Sequence, residues 1–171
     1  MELKAKYIPG KRNVLADSLS RRNQIVHTEW MLKKEIAQQV IHKWGCPRVD
    51  LFATRANRQM LCYFSPIKDE EAMGEDALSH SWQGLDTYAY PPPPLIHAIL
   101  GKIRLEKGVK MTLVAPDTPR AVWYPDLLEL LVEEPFVIPP VKDLLSQPLS
   151  GILHPHPDRL NLRAWRLSSP F

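Results

Sequence analysis

Three stretches of this chain carry groups able to do chemistry. In KRNVLADSLSRR, residues 11–22, a single carboxylate, Asp17, lies in a basic flank. Such a residue either pairs with a neighbouring arginine on a helix face or belongs to an acidic cluster, completed elsewhere, that holds divalent metal. In RVDLFAT, Asp50 falls inside an apolar run, and a carboxylate taken out of water needs a partner or a ligand. In YPPPP, residues 90–94, consecutive prolines present backbone carbonyls with no competing amide hydrogens, an arrangement that can hold an exocyclic amino group. His154 and His156, two apart in a proline-broken segment, are a sparse metal signal. Cys46 and Cys62 build neither a disulfide framework nor a zinc-finger spacing.

The elements that must position these groups follow from periodicity. Pro9 and Gly10 mark a turn, after which Asn13 can cap a helix over 14–20 that sets Asp17 four residues from Arg21. On that helix an ion pair is worth well under ~1 kcal/mol. Thr28 is an N-cap candidate for a longer helix in which Leu32, Ile36, Val40 and Trp44 recur every four residues, stopped by Gly45 and Pro47. RVDLFAT then reads as a buried strand. The acids Asp69, Glu70, Glu71, Glu75, Asp76 and Asp86 have no Lys or Arg among them and read as a solvated loop. A strand at TYAY, a helix carrying Leu95, Ile96, Ile99, Leu100 and Ile103, a strand at KMTLVAP and a helix over about 120–131 with Trp123, Leu127, Leu128 and Leu131 complete the series. Strand and helix alternating in this way predict an α/β fold with a parallel sheet, whose ligands sit beyond the carboxyl ends of the strands. The segments after VDLFAT, TYAY and TLVAP should therefore share one rim.

Composition bounds the function. The chain has 171 residues, is 44% hydrophobic and 24% charged, and so reads as globular. Its 17 prolines are about twice the usual share of ~5%. Only Pro9 precedes Pro47, so they punctuate the later part. The net charge of +3 is uneven: residues 1–22 carry six Lys and Arg against Glu2 and Asp17, leaving the remainder at −1. Lys11, Arg12, Arg21 and Arg22 in that basic start suit a polyanion such as nucleic acid. No apolar run approaches the ~18 residues a membrane span needs, no secretory core follows Met1, and the expected setting is reduced and intracellular, cytoplasm or nucleus.

YIPGKRNVLADSLSRR resembles the closing segment of the ribonuclease H domain in gypsy-like and DIRS-type retroelement polyproteins, with an I-P-G-K, N-x-x-A-D-x-L-S-R pattern. The resemblance implies that Asp17 is the last of four metal-binding carboxylates, catalytic through Mg2+ in an intact ribonuclease H domain that hydrolyses the RNA of an RNA–DNA hybrid. The other three would lie upstream of Met1, so residues 1–22 by themselves are expected to hydrolyse nothing. The basic flank would face the hybrid.

Residues 23–140 resemble the domain that follows ribonuclease H in DIRS-type elements, itself similar to Dam-like N6-adenine methyltransferases. The segments that carry this likeness are TEWMLKKEIAQQVIHKWGCPRVDLFATRANRQMLCYFSP, DALSHSW, TYAYPPPPLIHAIL and MTLVAPDTPRAVWYPDLLEL. The resemblance implies a three-layer, Rossmann-like methyltransferase-type parallel sheet, partial here. Asp50 and Phe52 would lie on the strand beside S-adenosylmethionine, Asp76 would face the cofactor's adenine, and Tyr90, Pro91 and Pro92 would stand in the loop that grips a flipped adenine. Three departures matter: Tyr90 replaces the carbonyl- or carboxylate-bearing residue before the prolines, Pro93 replaces the aromatic after them, and no glycine-rich loop follows Asp50. Residues 141–171 resemble the proline-rich stretch before a recombinase region, a linker whose Trp165 packs back on the domain. Three functions remain open: a nucleic-acid-associated fragment of a reverse transcriptase and ribonuclease H polyprotein, partnered by the polyprotein on either side; an active S-adenosylmethionine-dependent adenine methyltransferase; or a domesticated or non-functional interaction protein.

Overall fold

A computed structural model describes residues 30–171. Its centre is a five-stranded sheet of β2 (Val49–Asp50), β5 (Asp86–Ala89), β6 (Lys110–Pro116), β9 (Leu162–Ser168) and β7 (Phe136–Val137), in that order. β2, β5 and β6 are parallel, with Asp50 opposite Tyr88 and Tyr88 opposite Thr112. β9 runs antiparallel to both β6 and β7. Four strands therefore share a direction and one is reversed: the fold is mixed α/β. Two-stranded pairs flank it, β1 (Met31–Leu32) with β8 (Leu145–Ser146), and β3 (Phe64–Ser65) with β4 (Gly74–Glu75).

Alternation along the strands sends side chains into two cores. Met111, Leu113 and Ala115 of β6, with Trp165 and Leu167 of β9, face α2 (Ile96–Leu105) and α3 (Tyr124–Leu130). Tyr88, Val114, Leu162 and Ala164 face the opposite way, toward α1 (Lys34–His42). α1 buries Ile36, Ala37, Val40 and Ile41 on one stripe, the spacing of a helix lying on a sheet.

α2 keeps its expected face, Ile96, Ile99, Leu100 and Ile103, all buried. Its start explains the tetraproline. Pro92 is extended, and Pro93 and Pro94 form a 3-10 turn over Pro93–Leu95 that feeds the helix, positions where a missing N–H costs nothing.

Several elements differ from expectation. Leu32 does not open the helix: it pairs with Leu145 in β1, and α1 begins two residues later. α3 is shorter than 120–131 because Pro125 sits in its first turn. Its buried face is consequently Trp123, Leu127 and Leu130, while Leu128 is 48% exposed. The acidic run is not uniformly solvated: Asp69 accepts from the Arg55 guanidinium and the Tyr63 hydroxyl, both at 2.5 Å. Those two bonds hold its carboxyl well below the usual carboxylate range.

The largest difference concerns residues 141–171. Instead of a linker, they supply β8, the short α4 (Pro157–Leu160) and β9, which fills the slot between β6 and β7. Trp165 does pack on the domain, but as a sheet residue, its Nε1 donating to the Ala115 carbonyl at 3.1 Å. Arg166, only 7% exposed, reaches across β6 to β5, where it donates to both Asp86 oxygens at 2.8 and 2.9 Å and to Thr112 Oγ1 at 3.2 Å. A forked guanidinium on a carboxylate is the geometry in which a buried cation is tolerated.

Candidate functional site

The carboxyl ends of β2 and β5 converge on a recess lined by Asp50, Phe52, Asn57, Gln59, Tyr88 and Tyr90, and walled by residues 30–32. Its volume is about 10 Å3, room for one water-sized group.

Asp50 is the buried charge of the site, 2% exposed. Gln59 donates its backbone N–H to Asp50 Oδ2 at 3.0 Å, and the Phe52 backbone N–H also bonds the carboxylate. Loss of water outweighs these two bonds and pushes the carboxyl up to about 7. Among the described residues no Lys or Arg pairs with it. Tyr88, 1% exposed, carries a hydroxyl with no hydrogen-bond partner among the described residues. Burial, reinforced by the negative charge of Asp50, raises its phenol well above the ordinary value. Tyr90 is raised by burial as well. Gln59 Oε1 is a second buried atom without a partner, whereas Gln59 Nε2 donates to the Leu32 carbonyl at 2.8 Å. That donation fixes the amide orientation, since the reverse would set two oxygens against each other.

The loop between Asp50 and Gln59 is turned without glycine. Asn57 Oδ1 accepts the Thr54 backbone N–H at 2.6 Å, Thr54 Oγ1 accepts the Asn57 N–H at 3.3 Å, and Arg58 N–H closes on the Thr54 carbonyl at 2.9 Å. Such side-chain-locked turns are what Asn and Thr offer in place of glycine.

Of the sequence-derived site residues, Asp50, Phe52 and Tyr90 come together in the recess. Pro91 and Pro92 do not line it, and the Pro92 carbonyl already accepts the Leu95 N–H at 3.0 Å, so the tetraproline's carbonyls are partly engaged in starting α2. Asp76 does not line it either. It is exposed, left-handed at φ 53°, and its carbonyl accepts from Ser79 Oγ at 2.8 Å. Asp17, Lys11, Arg12, Arg21, Arg22 and Thr28 lie outside the described residues. The His154 ring packs edge-on against Trp30, centroids 4.9 Å apart, and its Nδ1 accepts the His156 N–H at 3.0 Å. Sequence reasoning missed Gln59 and the wall at Trp30. Tyr88 was legible in principle, because it lies two residues before Tyr90 on the same strand side.

S-adenosylmethionine does not fit the recess as it stands. Sites for ligands of that size occupy ~300 Å3 or more, and the volume here, about 10 Å3, holds one small group. No glycine allows the backbone after Asp50 to approach a nucleoside. No family model matches the chain, and no curated protein matches it. Among the described residues, no helix is long and apolar enough to cross a membrane.

Proposed function

We propose that this chain is part of a retroelement polyprotein, in which the end of a ribonuclease H domain at residues 1–22 runs into a methyltransferase-like domain. It associates with nucleic acid and is catalytically incomplete on its own. One observation carries the reading: Asp50 and Tyr90 line a common recess at the carboxyl edge of parallel strands, the edge where Rossmann-like sheets hold ligands. Four strands in one direction, with helices on both faces, support the finer methyltransferase-type assignment.

Incompleteness follows from side-chain chemistry. Tyr90 brings no carboxylate or amide carbonyl to an adenine amino group, and Asp17 alone cannot hold the two ions that strand hydrolysis needs. Association with an RNA–DNA hybrid or DNA rests on Lys11, Arg12, Arg21 and Arg22. Fluorescence anisotropy with a labelled hybrid should give log K falling linearly with log salt. Replacing those four residues by Ala should flatten the slope by roughly 3–4. A salt-independent affinity in the parent chain would sink the reading.

A second reading, an S-adenosylmethionine-dependent N6-adenine methyltransferase, draws support from the buried carboxylate at the strand end. It requires residues 30–32 to move aside. Equilibrium dialysis with radiolabelled S-adenosylmethionine should detect no saturable uptake up to millimolar ligand. Saturation below that range would establish a competent cofactor site and overturn the incomplete-enzyme view.

A further inference from the structure

The recess has a chemistry that does not depend on any kinship with methyltransferases. Three residues with oxygen-bearing side chains line it, Asp50, Gln59 and Tyr88, and Gln59 Oε1 and the Tyr88 hydroxyl are buried without partners among the described residues. One N–H of Gln59 Nε2 goes to the Leu32 carbonyl, which sets Oε1 as the unpartnered end of the amide. Two backbone N–H groups reach Asp50, which leaves part of its capacity free, since an ionised carboxylate accepts about four bonds. Above pH 7, where it is ionised, this buried carboxylate has no cationic side chain beside it, and a cationic ligand would complete it. Trp30, Phe52, Tyr88 and Tyr90 also line it, aromatic residues of the kind that attract cations.

We propose that this recess binds a primary ammonium group. Its N–H donors would go to the Asp50 carboxylate, Gln59 Oε1 and the Tyr88 oxygen, while the aliphatic stem leaves over the aromatic walls. The volume of about 10 Å3 suits an ammonium head, which is close to water in size. A water can serve all three oxygens, since the Tyr88 hydroxyl can donate to it, but it leaves the Asp50 charge unpaired.

The test uses the full chain at pH 8 with four probes followed by thermal shift and by tyrosine-region NMR: n-butylammonium, N-acetyl-lysine amide, tetramethylammonium and n-butanol. Butylammonium should bind with resonances of Tyr88 and Tyr90 shifting together. Tetramethylammonium, which has no N–H, and butanol, which has no charge, should bind at least tenfold more weakly. N-acetyl-lysine amide matching butylammonium assigns the source to a lysine side chain, and binding of butylammonium alone assigns it to a free amine. Asp50→Asn should weaken butylammonium at least tenfold, and Tyr88→Phe, which keeps the ring and the packing, should weaken it several-fold. Equal binding of all probes, retained affinity in Asp50→Asn, or no binding by any probe would overturn the proposal, the last leaving the recess as the seat of a structural water. S-adenosylmethionine uptake is measured separately, so either idea can fail without the other.

Discussion

Asp50→Asn should be more stable than the parent chain at pH 8 and equal to it near pH 4. The carboxyl stands at about 7 in the folded chain against 3.8 for an exposed aspartate. Below pH 4 both states hold the proton, and the group contributes nothing. Between pH 4 and 7 the folded state binds more protons than the unfolded one, so stability falls as pH rises. Above 7 the whole penalty is present, roughly 4 kcal/mol from about three units at 1.36 kcal/mol each. Asparagine mimics the protonated form. Its oxygen can keep the Gln59 backbone N–H, and its Nδ2 enters a recess where Gln59 Oε1 and Tyr88 Oη lack partners. Thermal unfolding of both proteins from pH 4 to 8 should open a gap of roughly 5–15 °C in Tm at the alkaline end. Parallel curves across that range would show that Asp50 is not desolvated in the folded chain. A natural residue that costs stability at neutral pH is better explained by a ligand than by the fold.

Removing residues 161–171 should abolish cooperative folding. The excision takes out β9, which pairs with β6 along seven register positions and with β7 along two. It exposes the inner edges of both neighbours, strips Trp165 and Leu167 from one core and Leu162 and Ala164 from the other, and leaves Asp86 without Arg166. Losing one buried Trp costs ~3–5 kcal/mol by itself, already a large part of the ~5–15 kcal/mol available to a domain. The shortened chain should give a non-sigmoidal melt and collapsed amide dispersion. A sharp transition within a few degrees of the parent would mean that β9 is dispensable.

These results bear on what could be read from residues alone. β5 and β6 announced themselves because each is a short run closed by a proline signal, and α2 because its isoleucines and leucines keep a helical period; RVDLFAT reads as one strand, but only Val49–Asp50 of it pairs. β9 did not. LRAWRLS carries two arginines in seven residues and follows HPHPD, so its composition imitates a basic linker. Only tertiary pairing reveals that Arg166 is matched by Asp86, eighty residues earlier. β1 and β8, at two residues each, are too short to have a period. For the site, Asp50 was legible as a carboxylate in an apolar strand and Tyr90 as a strand-end residue. Gln59 was not, because a polar residue in a loop has no pattern, and its place is set by the Thr54 and Asn57 turn that folds it back.

The last strand in sequence lies between two earlier ones, and that imposes an order on biosynthesis. While the chain is being made, β6 and β7 wait with a gap between them until residues 162–168 have cleared the ribosome. Until that moment β6 is a seven-residue edge rich in apolar side chains, the kind of surface that recruits foreign strands. Slow translation through the proline-dense segment ahead of β9 would lengthen that exposure, making the yield of native protein depend on chaperone supply.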